Sequence, residues 1–184
     1  MADPLEGIEK QVKRRNFDSP PLHLWDPPLS GDIAIRIAAD GCWYHEGTPI
    51  RRESLVRLFA SILRREKDGD YYLVTPAEKW RIAVDLHPLI VTDIVQVEPV
   101  EREQPILQAS LNTGKTVTIN AEHPLFLEPA VGNIPVLRLE HGLTALLSRA
   151  AWYRLADMAE EAGEKDGALS IASGDYRFEL GALS

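Results

Sequence analysis

The side chains in this sequence that could do chemistry gather at turns. Trp43-Tyr44-His45-Glu46, followed by Arg51-Arg52, sets aromatic rings and two guanidiniums around one turn. Such a group can recognise an anionic or planar ligand, because ring faces attract cations and a guanidinium grips a carboxylate through two parallel hydrogen bonds. The plain alternative is a β-turn with packed rings and solvated arginines. A second segment, Tyr72-Leu73-Val74-Thr75-Pro76-Ala77-Glu78-Lys79-Trp80, places polar groups and a Trp at a hairpin tip. Loop tips on a rigid scaffold often carry binding groups; the same segment also reads as a tight hairpin with solvated Glu and Lys. Together they nominate Trp43, Tyr44, His45, Arg51, Arg52, Thr75, Glu78, Lys79 and Trp80 as ligand-binding residues. A shared cleft for a small anionic ligand or an acidic peptide is the expectation.

No other pattern marks a reaction. Asn112-Thr113-Gly114-Lys115-Thr116 looks like the end of a phosphate-binding loop. Ala109 stands where that motif needs its first glycine, and a strand pattern follows where a helix should open. His23, His45, His87, His123 and His141 include no pair spaced to put two imidazoles on one helix face, so no metal site is expected. Cys42 is the single cysteine, which excludes an internal disulfide and a multi-cysteine zinc site. As a nucleophile it would need an adjacent base and a lowered pKa. There is no Gly-x-Ser-x-Gly elbow. A catalytic reading needs a site assembled from distant residues such as His45, Glu78, Lys79 and His123; no catalytic residue and no cofactor is nominated.

Composition narrows the classes. The chain has 184 residues, 45% hydrophobic and 26% charged, as in a soluble globular protein of one domain or two small ones. The net charge of -8 argues against a nucleic-acid partner, since phosphate binding draws on clustered Lys and Arg. Lys13-Arg14-Arg15 is the one local exception. No stretch approaches the ~20 apolar residues of a membrane span, and the acidic start is unlike a signal peptide. A cytoplasmic protein is expected, with its oligomeric state left open.

The elements that must position these groups follow from periodicity. Leu5, Ile8 and Val12 predict a helix over 4–15. Pro20, Pro21, Pro27 and Pro28 hold residues 16–30 as an extended arm, with Trp25 as its expected anchor. Ile33, Ile35 and Ile37 predict a strand, Asp40-Gly41 a hairpin turn, and Cys42–His45 the return. Gly47-Thr48-Pro49 then reads as a break. A helix is expected over about 52–65 on Leu55, Leu58, Phe59, Ile62 and Leu63, followed by strands over 71–75 and 79–85. Further strands are expected over 90–97, 106–111 and 116–120. A longer helix is read from Leu143, Leu146, Leu147, Ala150, Ala151, Leu155, Met158 and Ala162, with a last hairpin over 168–172 and 176–180.

Glu-Lys-Asp-Gly occurs at 66–69 and again at 164–167, each time after a helical stretch and before a hairpin. This predicts an α+β fold of two related helix-plus-hairpin repeats with mostly antiparallel sheets. The expected divisions are 1–30 for the helix and arm, 31–98 for the first repeat and 105–184 for the second. Chance similarity of two ordinary helix–turn–hairpin units is the alternative.

A family resemblance runs through His23-Leu24-Trp25-Asp26-Pro27-Pro28, Gly31-Asp32-Ile33-x-Ile35-x-Ile37, Asp40-Gly41-x-Trp43 and Gly47-Thr48-Pro49-Ile50. It continues in Leu55-Val56-Arg57-Leu58-Phe59, Tyr72-Leu73-Val74-Thr75-Pro76-x-Glu78-Lys79, His123-Pro124-Leu125 and Arg149-Ala150-x-x-Tyr153-x-Leu155. On these residues the chain resembles an uncharacterised bacterial family, domain of unknown function twelve-eighty-five. It departs from that pattern at Leu86-His87-Pro88-Leu89, where a more acidic stretch ending in Phe is expected. The resemblance implies an α+β fold of repeated motifs and a role in signal transduction; it supplies no reaction, cofactor or catalytic residue. The leading expectation is a non-catalytic ligand-sensing or regulatory module. The alternatives are an enzyme of unknown class and a structural adaptor without a pocket.

Overall fold

The alternating isoleucines become the buried face of β1 (Leu29–Ile37), with Ile33, Ile35 and Ile37 all out of water. The structure, a computed structural model, describes residues 4–13, 19–98, 100, 104–165 and 167–181. Its contacts divide into two units, residues 1–88 with 141–143 and residues 89–140 with 144–184. The expected first repeat, 31–98, ran past that division and took in a strand that belongs to the second unit.

In the first unit β1 turns at Asp40-Gly41 into the antiparallel β2 (Trp43–His45). The Asp40 carboxylate accepts from the Cys42 amide at 3.0 Å. The expected break at Gly47 is instead a second tight hairpin into β3 (Thr48–Pro49). Glu46 and Gly47 take positive φ, 49° and 78°, which is what a two-residue hairpin turn requires. Helix α2 (Glu53–Ser61) is shorter than expected, because Leu63–Arg65 form β4 and pair with β5 (Tyr71–Val74). Ile62 and Leu63 are fully buried in the observed arrangement, and burial is what either a helical or a strand pattern offers them, so periodicity alone could not place the boundary. From β5 the chain turns into β6 (Lys79–Val84), which lies parallel to β1. The sheet order is β3-β2-β1-β6-β5-β4: two three-stranded meanders joined by one parallel pair. Phe59 of α2 stacks on Trp43 with ring centroids 6.3 Å apart.

Helix α1 (Pro4–Lys13) buries Ile8 and Val12 and lies against α2. Positions 14–15 of the expected helix, with Arg14 and Arg15 of the basic cluster, and positions 16–18 of the arm lie outside the described residues. In the rest of the arm Pro20, Leu22 and Pro27 are buried and Trp25 is half-buried. Leu22–Leu24 form one 3-10 turn. Arg64 of β4 fastens the arm by donating to the carbonyls of Leu22 at 3.0 Å and Trp25 at 2.8 Å. Leu22 is 1% exposed.

The second unit repeats the sheet. β7 (Leu89–Val97), β8 (Ile106–Leu111) and β9 (Thr116–Thr118) form one meander. β10 (Leu125–Glu128), β11 (Ile134–Arg138) and β12 (Thr144–Leu147) form another. The order β10-β11-β12-β7-β8-β9, with β12 and β7 parallel, is the connectivity of the first sheet. Leu146 and Leu147, expected in the long helix, are therefore strand residues. α3 (Arg149–Ala162) begins only after Ser148, whose side-chain oxygen caps it by accepting from the Ala151 amide at 3.2 Å. It is followed by a separate antiparallel sheet of β13 (Glu164–Lys165), β14 (Ala168–Ser173) and β15 (Tyr176–Gly181). The buried Ser173 hydroxyl links that sheet to the six-stranded one, accepting from the Leu107 amide at 2.8 Å and donating to the Ile119 carbonyl at 2.6 Å.

The fold is α+β, and a helix followed by antiparallel strands occurs in each unit, as expected. The internal repeat has a different frame from the one the tetrapeptide marks. The six-stranded sheets correspond, whereas α2 lies between the meanders of its sheet and α3 follows both meanders of its own. The two tetrapeptide hairpins consequently stand at non-equivalent places in the topology.

Candidate functional site

The nine nominated residues all belong to the first unit, and the structure gives them different tasks. Trp43 is core, 3% exposed and stacked on Phe59. Tyr44 lies under the Arg36 guanidinium, 5.8 Å from its ring centre, and Arg36 is itself paired with Asp85 at 2.9 Å. His45 is half-buried at the end of β2, opposite Thr48. Thr75 is 1% exposed, and its hydroxyl is used inside the turn, accepting from the Glu78 amide at 3.0 Å. Trp80 is half-buried beside Gly31, where an added Cβ would sit 3.4 Å from the ring. The plain reading of a tight hairpin with packed rings thus describes Trp43 and Thr75. Arg51 is exposed at the start of α2.

Arg52 and Glu78 are brought together, though through α1 rather than across a cleft. Arg52 Nη2 pairs with the Glu9 carboxylate of α1. The Glu78 carboxylate accepts from Gln11 Nε2 of the same helix at 3.0 Å. Ile8 and Val12, which flank Glu9 and Gln11 along the helix, are buried. The face that sequence reasoning assigned to an acidic peptide holds an amphipathic helix of the chain itself, whose two Glu and two Lys balance in charge.

Lys79 points into a charged cluster that sequence reasoning did not assemble. Its ammonium reaches both Glu66 oxygens at 3.1 Å and lies 5.1 Å from the centre of the Tyr72 ring. Glu66 also accepts from Arg64, the residue that clamps the arm. The side chains of Arg64, Glu66 and Lys79 are only 15%, 23% and 14% exposed. Burial pushes the Glu66 carboxyl up, but donors from Arg64 and Lys79 outweigh it and hold the group below its ordinary 4.5. The Tyr72 hydroxyl donates to Asp68 at 2.6 Å, and that bond, with burial, pushes its pKa up to about 12. Beside it Arg81 joins Asp32 and Asp70. The signal was present: Glu66 and Asp68 are the acidic members of the first Glu-Lys-Asp-Gly, read for architecture alone.

The catalytic alternative is not assembled within either unit. His45, Glu78 and Lys79 are in the first and His123 in the second. His123 occupies a turn organised by Asn120, whose side-chain oxygen accepts from the Glu122 amide at 3.0 Å and the His123 amide at 2.8 Å. Desolvation and a hydrogen bond to the neighbouring Asp40 push the thiol of the exposed Cys42 upward, the opposite of what activates a nucleophile. Among the described residues no group of three or more His, Cys, Asp or Glu is placed to hold a metal ion. No helix among them is long and apolar enough to cross a membrane. Asn112–Lys115 is a hairpin turn between β8 and β9, with Gly114 at φ 85°.

Paired-meander sheets, each closed by a central parallel pair, with a helix-gripping face in the first unit, define a two-unit α+β protein. The chain belongs to the family of the domain of unknown function DUF1285: its N-terminal domain matches residues 20–86 and its C-terminal domain residues 88–180. A DUF1285 family protein from Silicibacter pomeroyi DSS-3 is 35% identical, with 96% of each chain covered and a TM-score of 0.82. Another, from Shewanella baltica OS155, is 30% identical over 68% of this chain and 91% of that one, with a TM-score of 0.56. No curated protein matches the chain.

Proposed function

We propose that this protein is a non-catalytic binding module whose first unit recognises an amphipathic helix bearing a carboxylate, at the face bounded by Arg52 and Glu78. The observation that carries the reading is the double grip on α1: a guanidinium on Glu9 and a carboxylate on the Gln11 amide, with the flanking Ile8 and Val12 buried. Helix-in-groove recognition reads anchors at this spacing. The surrounding ionisable groups favour binding over turnover, because Glu66, Lys79, Arg64 and Arg81 are held in ion pairs. A regulatory role, including signal transduction, is the natural use of such a module.

The test is binding of a labelled peptide of residues 4–13 to the full chain carrying Ile8→Asp and Val12→Asp, which removes the apolar grip of the resident helix. Saturable binding that Arg52→Ala weakens is the expected result. A double variant with an intact circular-dichroism spectrum and no saturable binding would refute the reading.

A further inference from the structure

We infer that α1 is a displaceable resident of this face, so that the module is self-occluded and its partner is a helix that outcompetes α1. The inference rests on the reading above and adds both the partner's pattern and its regulation. The pattern is copied from the contacts. The partner helix carries apolar residues at i and i+4, a carboxylate at i+1 and a side-chain hydrogen-bond donor at i+3, as Ile8, Val12, Glu9 and Gln11 do.

α1 is built to hold its place weakly. Its described residues number ten, and a helix of that length is below the roughly 12–15 at which an isolated helix becomes even marginal in water, so docking supports it. Gly7 lies in its interior and is exposed, and an added Cβ there would meet nothing within 4 Å. No packing reason therefore requires glycine, whose backbone freedom handicaps the docked helix about fivefold relative to alanine. The Arg52 side chain is 53% exposed, against 16% for Glu9, so a competing carboxylate can approach from the Arg52 side. α1 also precedes residue 20, where the match to the family's N-terminal domain begins.

Covalent attachment offsets the weak helix. A tethered segment acts at an effective concentration on the order of millimolar. A free peptide of the same sequence at micromolar concentration therefore loses to α1, and a partner wins only with a better helix or more contacts. This makes the face selective for strong helix formers carrying the pattern.

Hydrogen exchange on the unmodified full chain tests the inference. The α1 amides are expected to exchange through an opening that leaves α2, β5 and β6 protected. Millimolar peptide of residues 4–13 carrying Gly7→Ala should raise that exchange by displacing α1. Gly7→Ala in the chain itself should slow the opening about fivefold and weaken displacement by the same factor. Exchange of α1 only with global unfolding, no response to the peptide, or an opening unchanged by Gly7→Ala would each overturn it. Such a failure leaves peptide binding to the Ile8→Asp, Val12→Asp chain intact, whereas failure of the binding face abolishes that signal too.

Discussion

The two copies of Glu-Lys-Asp-Gly have one sequence and two structures. In the first, Glu66–Gly69 with Asp70 forms the turn between β4 and β5: the Glu66 amide donates to the Asp70 carbonyl and the Gly69 amide to the Glu66 carbonyl, each at 3.0 Å. Glu66 and Asp68 then point into the Arg64–Lys79–Tyr72 cluster. In the second, Glu164 and Lys165 are strand residues paired with Leu169 and Ala168, and both are exposed. Its Asp lies outside the described residues. What the copies share is a positive-φ glycine, 89° at Gly69 and 79° at Gly167. A short motif thus settles backbone chirality at a turn, while its charged side chains acquire roles only from the strands that face them.

The strongest way to break this comparison is to remove the glutamates in turn. Glu66→Ala leaves two largely buried cations without their anion and should cost about 2–3 kcal/mol. Urea unfolding followed by Trp fluorescence and circular dichroism measures it, and a loss below 0.5 kcal/mol would make the cluster ornamental. The same carboxylate predicts an acid limb. Its folded pKa lies below 4.5, so its contribution is present above pH 4.5 and is lost as pH falls through the folded value. Glu66→Gln should flatten that limb of the stability profile.

The glycines are expected to behave alike. Gly69→Ala and Gly167→Ala should each cost about 1–2 kcal/mol, since a Cβ is strained at these angles whatever the space around it. Unequal losses would show that the turns differ in backbone as well as in side chains. A smaller effect separates Tyr72 from the other tyrosines. It should titrate near pH 12, so the stability it adds is present below pH 10 and fades as pH rises towards 12. Asp68→Asn should return it towards 10 in an ultraviolet titration. The smallest effect is Glu164→Ala, expected within about 0.5 kcal/mol of the parent.

Much of this protein was legible in the sequence because the deciding forces are local. Alternating Ile33, Ile35 and Ile37 mark a half-buried strand, Asp40-Gly41 a hairpin, and Leu55 with Phe59 a helix face, whatever the rest of the chain does. The candidate face was half legible: Arg52 and Glu78 were nominated, but for a cleft that faces solvent. Glu9 and Gln11 carried no signal, because nothing in a linear pattern says which helix will lie against which turn. Leu63–Arg65 and Leu146–Leu147 continue helical stripes in sequence, and became strands only because Leu73, Tyr72, Tyr71 and Ile90, Val91 stand opposite with open backbone groups. β10 and β11, with few local markers, were not read at all. Residue type and spacing determined turn chirality, burial pattern and class. Tertiary structure decided the strand order, the repeat frame and the partners of each charge, because a hydrogen bond between strands or an ion pair between turns depends on distance in space, which one chain's spacing does not encode.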